Sequence, residues 1–187
     1  FLPLHGEHQA ENAALAISAV EAFFGVTNRL FDDVLRVALA DSTSPGRLQV
    51  VSRSPLTILD AAHNPGGAES LARAMKNTFG APKTVAVISI LNDKDARGLL
   101  EALNQTAETF VVTQSTSPRA IETHELEKLA TEIFGVTRVK SASTPHRALE
   151  LAKELTAEGG AIVVTGSITL VGDVLKNIQL KADDEEE

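Results

Sequence analysis

The hydrophobic pattern divides the chain into a helical start and a longer part in which strands and helices alternate. Residues 8–24 and 30–40 carry apolar side chains at helical spacing, and Gly25 follows the first of these segments. Beyond residue 46, short apolar runs rich in β-branched residues alternate with amphipathic segments. The predicted strands are 48–52, 56–60, 84–90, 109–113, 137–140 and 161–165. The predicted helices that follow are 66–79, 95–104, 122–134, 145–157 and 168–178.

This alternation predicts an α/β fold with a Rossmann-like, mostly parallel sheet and helices on both faces. The runs 84–90 and 161–165 are almost entirely apolar, which is typical of strands covered on both faces. The segment "RSP" between strands 48–52 and 56–60 is too short for a parallel crossover. We therefore expect those two strands to form a hairpin.

Turn residues and charge mark the boundaries of the expected domains. The segment 41–46, "DSTSPG", predicts a linker between a helical part, 1–40, and an α/β domain, 47–180. The last residues, 181–187, are mostly acidic, and we expect a disordered tail there.

Composition narrows the class of protein. Hydrophobic residues make up 43% and charged residues 22% of the 187 residues, which suffices for a packed core. No apolar run approaches the ~20 residues of a membrane-spanning helix, and the start lacks the pattern of a signal peptide. The net charge is -8 with no basic cluster, and cysteine is absent. We expect a cytoplasmic protein that binds neither nucleic acid nor membrane.

Candidate chemistry gathers where the predicted strands end, which is where parallel α/β sheets bind ligands. The stretch "ILDAAHNPGG" places Asp60, His63 and Asn64 between a strand and a helix. An aspartate at a strand end can hold a ribose hydroxyl, and Asn64 before Pro65 suits a helix cap. His63, taken alone, is more often structural than catalytic.

The other strand ends leave alternatives open. In "TGSITLVG", the backbone amides could bind an anion, or Ser167 could simply cap the helix. Arg47 could bind a phosphate with two hydrogen bonds, or it could be an ordinary exposed arginine. The loop 91–95, "LNDKD", is interpreted as solvated, with Asp95 capping the next helix. The histidines lack metal-binding spacing, and the chain has no P-loop motif.

Taken in order, the motifs resemble a known family. The stretches "LHGEHQAENAALA", "SPGRLQV", "ILDAAHNPGG", "NDKD", "SPRA" and "VVTGSITLVG" resemble the C-terminal part of folylpolyglutamate synthase/dihydrofolate synthase. This is the folate branch of the Mur ligase superfamily, and the resemblance runs from about Leu2 to Val174. The family usually has Asp-Gly-Ala-His-Asn-Pro at the hexad, so Ala61 is a departure.

The resemblance implies an ATP-dependent ligase. ATP phosphorylates a carboxylate of dihydropteroate or folate, and the amine of L-glutamate then attacks the acyl phosphate. Residues 1–40 would be the last helices of an ATPase domain, and 47–180 the glutamate ligase domain. The P-loop, the Mg²⁺ ligands and a carbamylated lysine would lie upstream of Phe1, in the same polypeptide. We expect a monomer, and we expect this chain alone to fold from about residue 46 to 180 without catalysing ligation.

The resemblance also implies roles for individual residues. Asn12 would contact the adenine side of the nucleotide, Arg47 its phosphates, and Asp60 the nucleotide from the C-terminal side. His63 and Ser167 would bind the substrates, with His63 as the candidate catalytic residue.

Three other interpretations remain open at this stage. The chain could be a stand-alone module that binds a nucleotide or an anion without catalysis. It could belong to a Mur-type ligase that joins a different amino acid to a different carboxylate. It could be a degenerate paralogue, although the presence of Arg47, Asp60, His63 and Ser167 speaks against decay.

Overall fold

Two helices precede the sheet in the computed structural model, which describes residues 1–25, 29–80 and 83–185. Helix α1 spans Glu7–Phe24 and helix α2 spans Asp32–Ala40. Much of their apolar surface faces solvent, and no described residue of α2 is buried. The exposed large apolar side chains of this part are Phe1, Leu15, Val20, Phe23, Phe24, Phe31, Val34 and Val37.

The remaining described elements begin with two consecutive strands, and from the second of these onwards strand and helix alternate. The strands are β1 Gln49–Arg53, β2 Leu56–Leu59, β3 Thr84–Ile88, β4 Thr109–Val112, β5 Val139–Ser141 and β6 Ala161–Thr165. The helices are α3 Pro65–Asn77, α4 Ala96–Leu103, α5 Thr123–Phe134, α6 Pro145–Leu155 and α7 Ile168–Glu185. The prediction of an α/β fold is confirmed.

The six described strands form one sheet in the order β1-β2-β6-β3-β4-β5. Strand β1 pairs with β2 in antiparallel fashion, which confirms the predicted hairpin. The other neighbours pair in parallel, so β1 is an antiparallel edge on a parallel sheet.

Alternate strand residues point to opposite faces, so the sheet has a core on each side. On one face, Ile88 and Val112 pack with residues of α3, α4 and α5. On the other face, Val87 and Val111 pack with residues of α6 and α7.

The chain order of the strands creates a crevice at the carboxyl edge. Strand β6 lies between β2 and β3. Helices α3 and α4, which follow β2 and β3, cover one face, whereas α7, which follows β6, covers the other. The loops that leave these strands therefore diverge, and ligands of such sheets bind at this point.

The amino edge of the sheet is held by Arg138, which precedes β5. Its guanidinium donates to the side-chain oxygen of Asn104 at 2.8 Å and to the carbonyls of Asn104, Ala107 and Glu108 at 2.9, 2.7 and 3.2 Å. It also lies over the stacked rings of Phe110 and Phe134, whose centroids are 3.7 Å apart. This cluster stabilises the end of the sheet opposite the crevice.

The acidic end of the chain differs from the prediction. Helix α7 continues to Glu185, through most of the segment 181–187 that we expected to be disordered, and residues 186–187 lie outside the described residues. No glycine or proline follows Gly172, and Leu, Lys and Ala favour helix, so no signal ends α7 earlier. None of the helices in the described ranges is both long and apolar enough to cross a membrane.

Candidate functional site

The hexad after β2 is tied to the linker by the carboxylate of Asp60. Its Oδ2 accepts a hydrogen bond from the amide of Leu48 at 3.0 Å, and its Oδ1 accepts from the amide of Ala62 at 2.9 Å. The amide of Ala61 also donates to the carbonyl of Gly46 at 2.7 Å. Asp60 therefore joins the end of the linker to the strand-end loop.

The surroundings of Asp60 disfavour its charge on balance. Burial raises the pKa of this carboxyl above its ordinary value of 3.8. The two amide donors, and then the charges of Arg47 and His8, lower the pKa but do not cancel the effect of burial. Each carboxylate oxygen can accept a further hydrogen bond, so the amides do not exhaust the group.

His63 and Asn64 follow on the outer surface of the loop. The Nδ1 atom of His63 lies 3.0 Å from the carbonyl of Ala61, and the residue is exposed. Since a carbonyl only accepts, a neutral imidazole that makes this contact carries its proton on Nδ1 and has Nε2 as an acceptor on the exposed ring. Asn64 accepts from the amide of Gly67 at 2.8 Å and caps α3, as predicted.

The turn after β6 packs directly against the hexad. The amide of Gly166 donates to the carbonyl of Ala62 at 3.0 Å. Gly166 has φ +102, and a Cβ there would lie 2.6 Å from the carbonyl oxygen of Ser89, so the position requires glycine. The fully buried Ser167 accepts from the amide of Leu170 at 3.1 Å, so the capping interpretation holds for its hydroxyl.

The loops after β3 and β4 pair with each other and carry a charged group. The amide of Asn92 donates to the carbonyl of Arg119 at 2.8 Å. Asp93 forms ion pairs with Lys94 at 3.2 Å and with Arg119 at 3.4 Å. The hydrogen bond from Lys94 is the main reason that the pKa of Asp93 is lowered. Two cations around one carboxylate leave a net positive charge.

Sequence reasoning missed this charged group. It treated 91–95 as a solvated loop, and only the cap was identified, since Asp95 accepts from the amide of Gly98 at 2.9 Å. The available signal was that "NDKD" and "SPRA" follow strands that prove to be neighbours. Parallel neighbours end at the same edge of a sheet, so their loops meet.

The remaining two candidates lie towards the N-terminus. Arg47 is exposed beside Leu48, near enough to Asp60 for its charge to lower the pKa of that carboxyl. Asn12 lies in the groove between α1 and α2, where its side chain donates to that of Gln9 at 3.5 Å. The structure thus brings Arg47, Asp60, His63 and Ser167 to one edge, whereas Asn12 lies among the N-terminal helices.

The described ranges offer no group of three or more His, Cys, Asp or Glu side chains that could hold a metal ion.

Comparison with known proteins gives consistent matches over most of the chain. The family described as Mur ligase, glutamate ligase domain, matches residues 46–168. A dihydrofolate synthase/folylpolyglutamate synthase of Mycobacterium tuberculosis is 41% identical, over 92% of this chain and 38% of the relative. The Bacillus subtilis enzyme of the same name is 30% identical, over 94% of this chain and 40% of the relative. The chain thus spans about two fifths of the length of these relatives.

Solved structures also match most of the chain. The M. tuberculosis folylpolyglutamate synthase complexed with ADP is similar with a TM-score of 0.91 and 41% identity, covering 95% of this chain and 41% of that one. Escherichia coli FolC in complex with DHPP and ADP has a TM-score of 0.81 and 29% identity, covering 97% of this chain and 41% of that one.

Proposed function

Because the chain belongs to the Mur ligase family through its glutamate ligase domain, we propose that it is the glutamate-adding part of an ATP-dependent ligase acting on dihydropteroate or folate. The observation that carries the proposal is the convergence of the linker, the hexad and the Gly-Ser turn at one edge of the sheet. The names of the relatives support the choice of substrates.

The proposed reaction joins two molecules at the expense of ATP. The γ-phosphoryl group of ATP passes to a carboxylate of dihydropteroate or folate, giving an acyl phosphate and ADP. The amine of L-glutamate attacks the acyl carbon, an amide forms, and phosphate leaves. An acyl phosphate is hydrolysed by water, so a site that closes between two domains protects it.

We assign the nucleotide side to residues near the linker. Arg47 presents an exposed guanidinium, a group suited to phosphoryl oxygens, beside the linker. Asp60 holds the amide of Leu48 in place and keeps further acceptor capacity towards a ribose. Asn12 would face the adenine once the N-terminal helices meet the rest of an ATPase domain.

We assign the substrate side to the crevice. His63 presents Nε2 as an acceptor for a proton, such as one released by the attacking amine. Ser167 shapes the turn by capping α7, and we assign it to the substrate side through the position of that turn beside the hexad. The group of Asp93, Lys94 and Arg119 offers net positive charge to a carboxylate of glutamate.

We propose that the exposed apolar faces of α1 and α2 contact an ATPase domain in the same polypeptide. Seven large apolar side chains of 15–37 are exposed there, among the described residues, and Phe23 is 84% exposed. The concentration of exposed large apolar side chains in this part of the chain supports an interaction site. That domain would supply the P-loop and the Mg²⁺ that accompanies ATP. The complete ligase would be a cytoplasmic monomer.

The test compares this chain alone with the complete ligase, in which the chain follows its ATPase domain. ADP release that depends on both L-glutamate and dihydropteroate or folate is expected from the complete ligase and not from the chain alone. Turnover by the chain alone would contradict the assignment of the ATPase to another domain. Binding of ADP by the chain alone, together with no ligation by the complete ligase, would favour the stand-alone binding function.

A matched pair of histidine variants tests the role of His63. In the complete ligase, His63→Ala is expected to lower kcat by about a hundredfold, the lower end of what a positioned acid or base contributes. His124→Ala removes another exposed histidine, on α5, and should leave kcat unchanged within about twofold on the same scale. Equal kcat values for the two variants would remove His63 from the chemistry.

A further inference from the structure

Residues 114–120, within the loop between β4 and α5, cross the carboxyl edge of the sheet, and this segment is attached at one end to α7. There the carboxylate of Asp173 accepts two hydrogen bonds from Thr116. The backbone amide of Thr116 donates to Oδ2 at 2.9 Å, and its hydroxyl donates to Oδ1 at 2.7 Å. Two hydrogen bonds to one carboxylate therefore fix both the backbone and the side chain of Thr116.

The other end of the same loop is fastened to the loop after β3. The carbonyl of Arg119 accepts from the amide of Asn92, and Ala120 forms an isolated bridge with Leu91. The guanidinium of Arg119 also reaches Asp93. The loop is therefore a strap between α7 on one face of the sheet and the charged group on the other side of the crevice.

The hydroxyls beneath this strap do not provide a second attachment to α7. The amide of Ser115 donates to the hydroxyl of Ser89, which directly follows β3, at 3.0 Å. The side-chain oxygens of Thr113 and Ser115 are buried and have no hydrogen-bond partner among the described residues. Among the bonds of the described residues, those to Asp173 are the ones that link the strap to α7.

The position of Asp173 on its helix suits this task. Val171 and Val174 point into the core between α7 and the sheet. Asp173 lies half-buried between these core-facing positions and the exposed side of α7, where Gly172 and Lys176 face solvent. A carboxylate at this position reaches the strap without leaving its helix.

We propose that Asp173 is a positioning residue for the amino-acid substrate. By holding Thr116, it fixes the strap, and through the strap it places Arg119 beside Lys94 and Asp93. This inference rests on the proposed function, in which that charged group receives a carboxylate of L-glutamate. Displacements of about 1 Å in a binding group can cost large factors in activity, so a loose strap should weaken glutamate binding.

The test uses Asp173→Asn in the complete ligase. The amide has nearly the same size but offers one oxygen acceptor where Thr116 presents two donors. The KM for L-glutamate is expected to rise about tenfold, with kcat and the KM for ATP changed less than about threefold. Thr116→Val removes only the hydroxyl donor and should raise the same KM less. The double variant should fall short of the sum, because the two residues act through one contact.

A matched control and a structural measurement accompany the kinetics. Glu154→Gln removes a carboxylate charge from the exposed side of α6 and should change none of these constants. Hydrogen exchange at the amide of Thr116 should accelerate at least about tenfold in Asp173→Asn, whereas amides within α7 keep their protection.

The outcomes separate this inference from the proposed function. A wild-type ligase that turns over with L-glutamate, together with an unchanged KM in Asp173→Asn, would overturn the inference alone. An equal rise in the KM for ATP, with faster exchange throughout α7, would reduce Asp173 to a structural residue. Absence of glutamate-dependent turnover in the wild type would overturn the proposed function and, with it, the substrate named here.

Discussion

The replacement Asp60→Ala tests whether the carboxylate of Asp60 stabilises the fold or only binds a ligand. Both oxygens of Asp60 accept backbone amides, from Leu48 at 3.0 Å and Ala62 at 2.9 Å. Leu48 and Ala62 are themselves buried, at 1% and 8% exposure. The substitution would therefore leave two amides without their acceptor in places that solvent reaches poorly.

The expected loss of stability follows from opposing effects. Each hydrogen bond to a charged acceptor contributes roughly 1.5–3 kcal/mol, so the two together stabilise by about 3–6 kcal/mol. The raised pKa of Asp60 shows that burial makes its charged form unfavourable, and alanine removes that penalty. We expect a net loss of about 2–3 kcal/mol in the free energy of unfolding at pH 7.

Urea unfolding of the 187-residue chain, followed by circular dichroism, measures this loss. Asp60→Asn retains one oxygen acceptor and should lose about half as much, on the same scale of hydrogen-bond energies. Glu158→Ala, which removes an exposed carboxylate in the turn before β6, is the control and should be neutral. A free energy of unfolding for Asp60→Ala within about 0.5 kcal/mol of wild type, the range of surface substitutions, would refute the structural role.

Three further substitutions or titrations follow from the same contacts. Arg138→Lys removes the planar donor group that reaches three carbonyls. Urea unfolding should show a free energy of unfolding lower by about 2–3 kcal/mol. An unchanged free energy of unfolding would contradict the role assigned to Arg138 at the amino edge. Gly166→Ala places a Cβ against the carbonyl of Ser89 at positive φ, and thermal unfolding should show a Tm several degrees lower, about 1–3 kcal/mol; an unchanged Tm would mean that the turn adapts. The carboxyl carbon of Asp60 should titrate by NMR above 3.8, and Arg47→Ala should raise the midpoint further because it removes a positive charge. Because folding raises the pKa of Asp60, the stability that this titration contributes is fully present below pH 3.8. It is lost as the pH rises through the pKa of the folded state. A midpoint below 3.8 would mean that stability instead increases as the pH rises through this range.

The fold was predictable because each strand carries its own local signal. Runs such as 161–165 are apolar and β-branched, and the amphipathic helices between them can only cover a sheet. The boundaries of two strands differ from the prediction. The strand predicted at 84–90 ends at Ile88, and the one predicted at 137–140 spans Val139–Ser141. Strand ends depend on pairing with neighbouring strands, which a local apolar run does not encode.

The composition of the candidate site was predictable, but its hydrogen bonds were not. The order of the strand-end motifs identified Asp60, His63 and Ser167, which the structure brings to one edge. The bond from Leu48 to Asp60 spans 12 positions, that from Arg119 to Asp93 spans 26, and that from Thr116 to Asp173 spans 57. No local spacing encodes contacts of that range, so the use of each carboxylate emerges only with the topology of the sheet.

The same contacts bear on the hinge that we expect between the N-terminal helices and the sheet. Gly46 and Leu48 are bound to the hexad through Ala61 and Asp60, so the chain is attached to the strand-end loop from Gly46 onwards. We therefore expect any rotation of α2 against the sheet to fall on residues 41–45, before the first of these bonds. Backbone heteronuclear NOE values measured on this chain should be lower for 41–45 than for 46–48. Values equally low at 46–48 would show that the bonds to the hexad open in solution, and the hinge would then extend to β1.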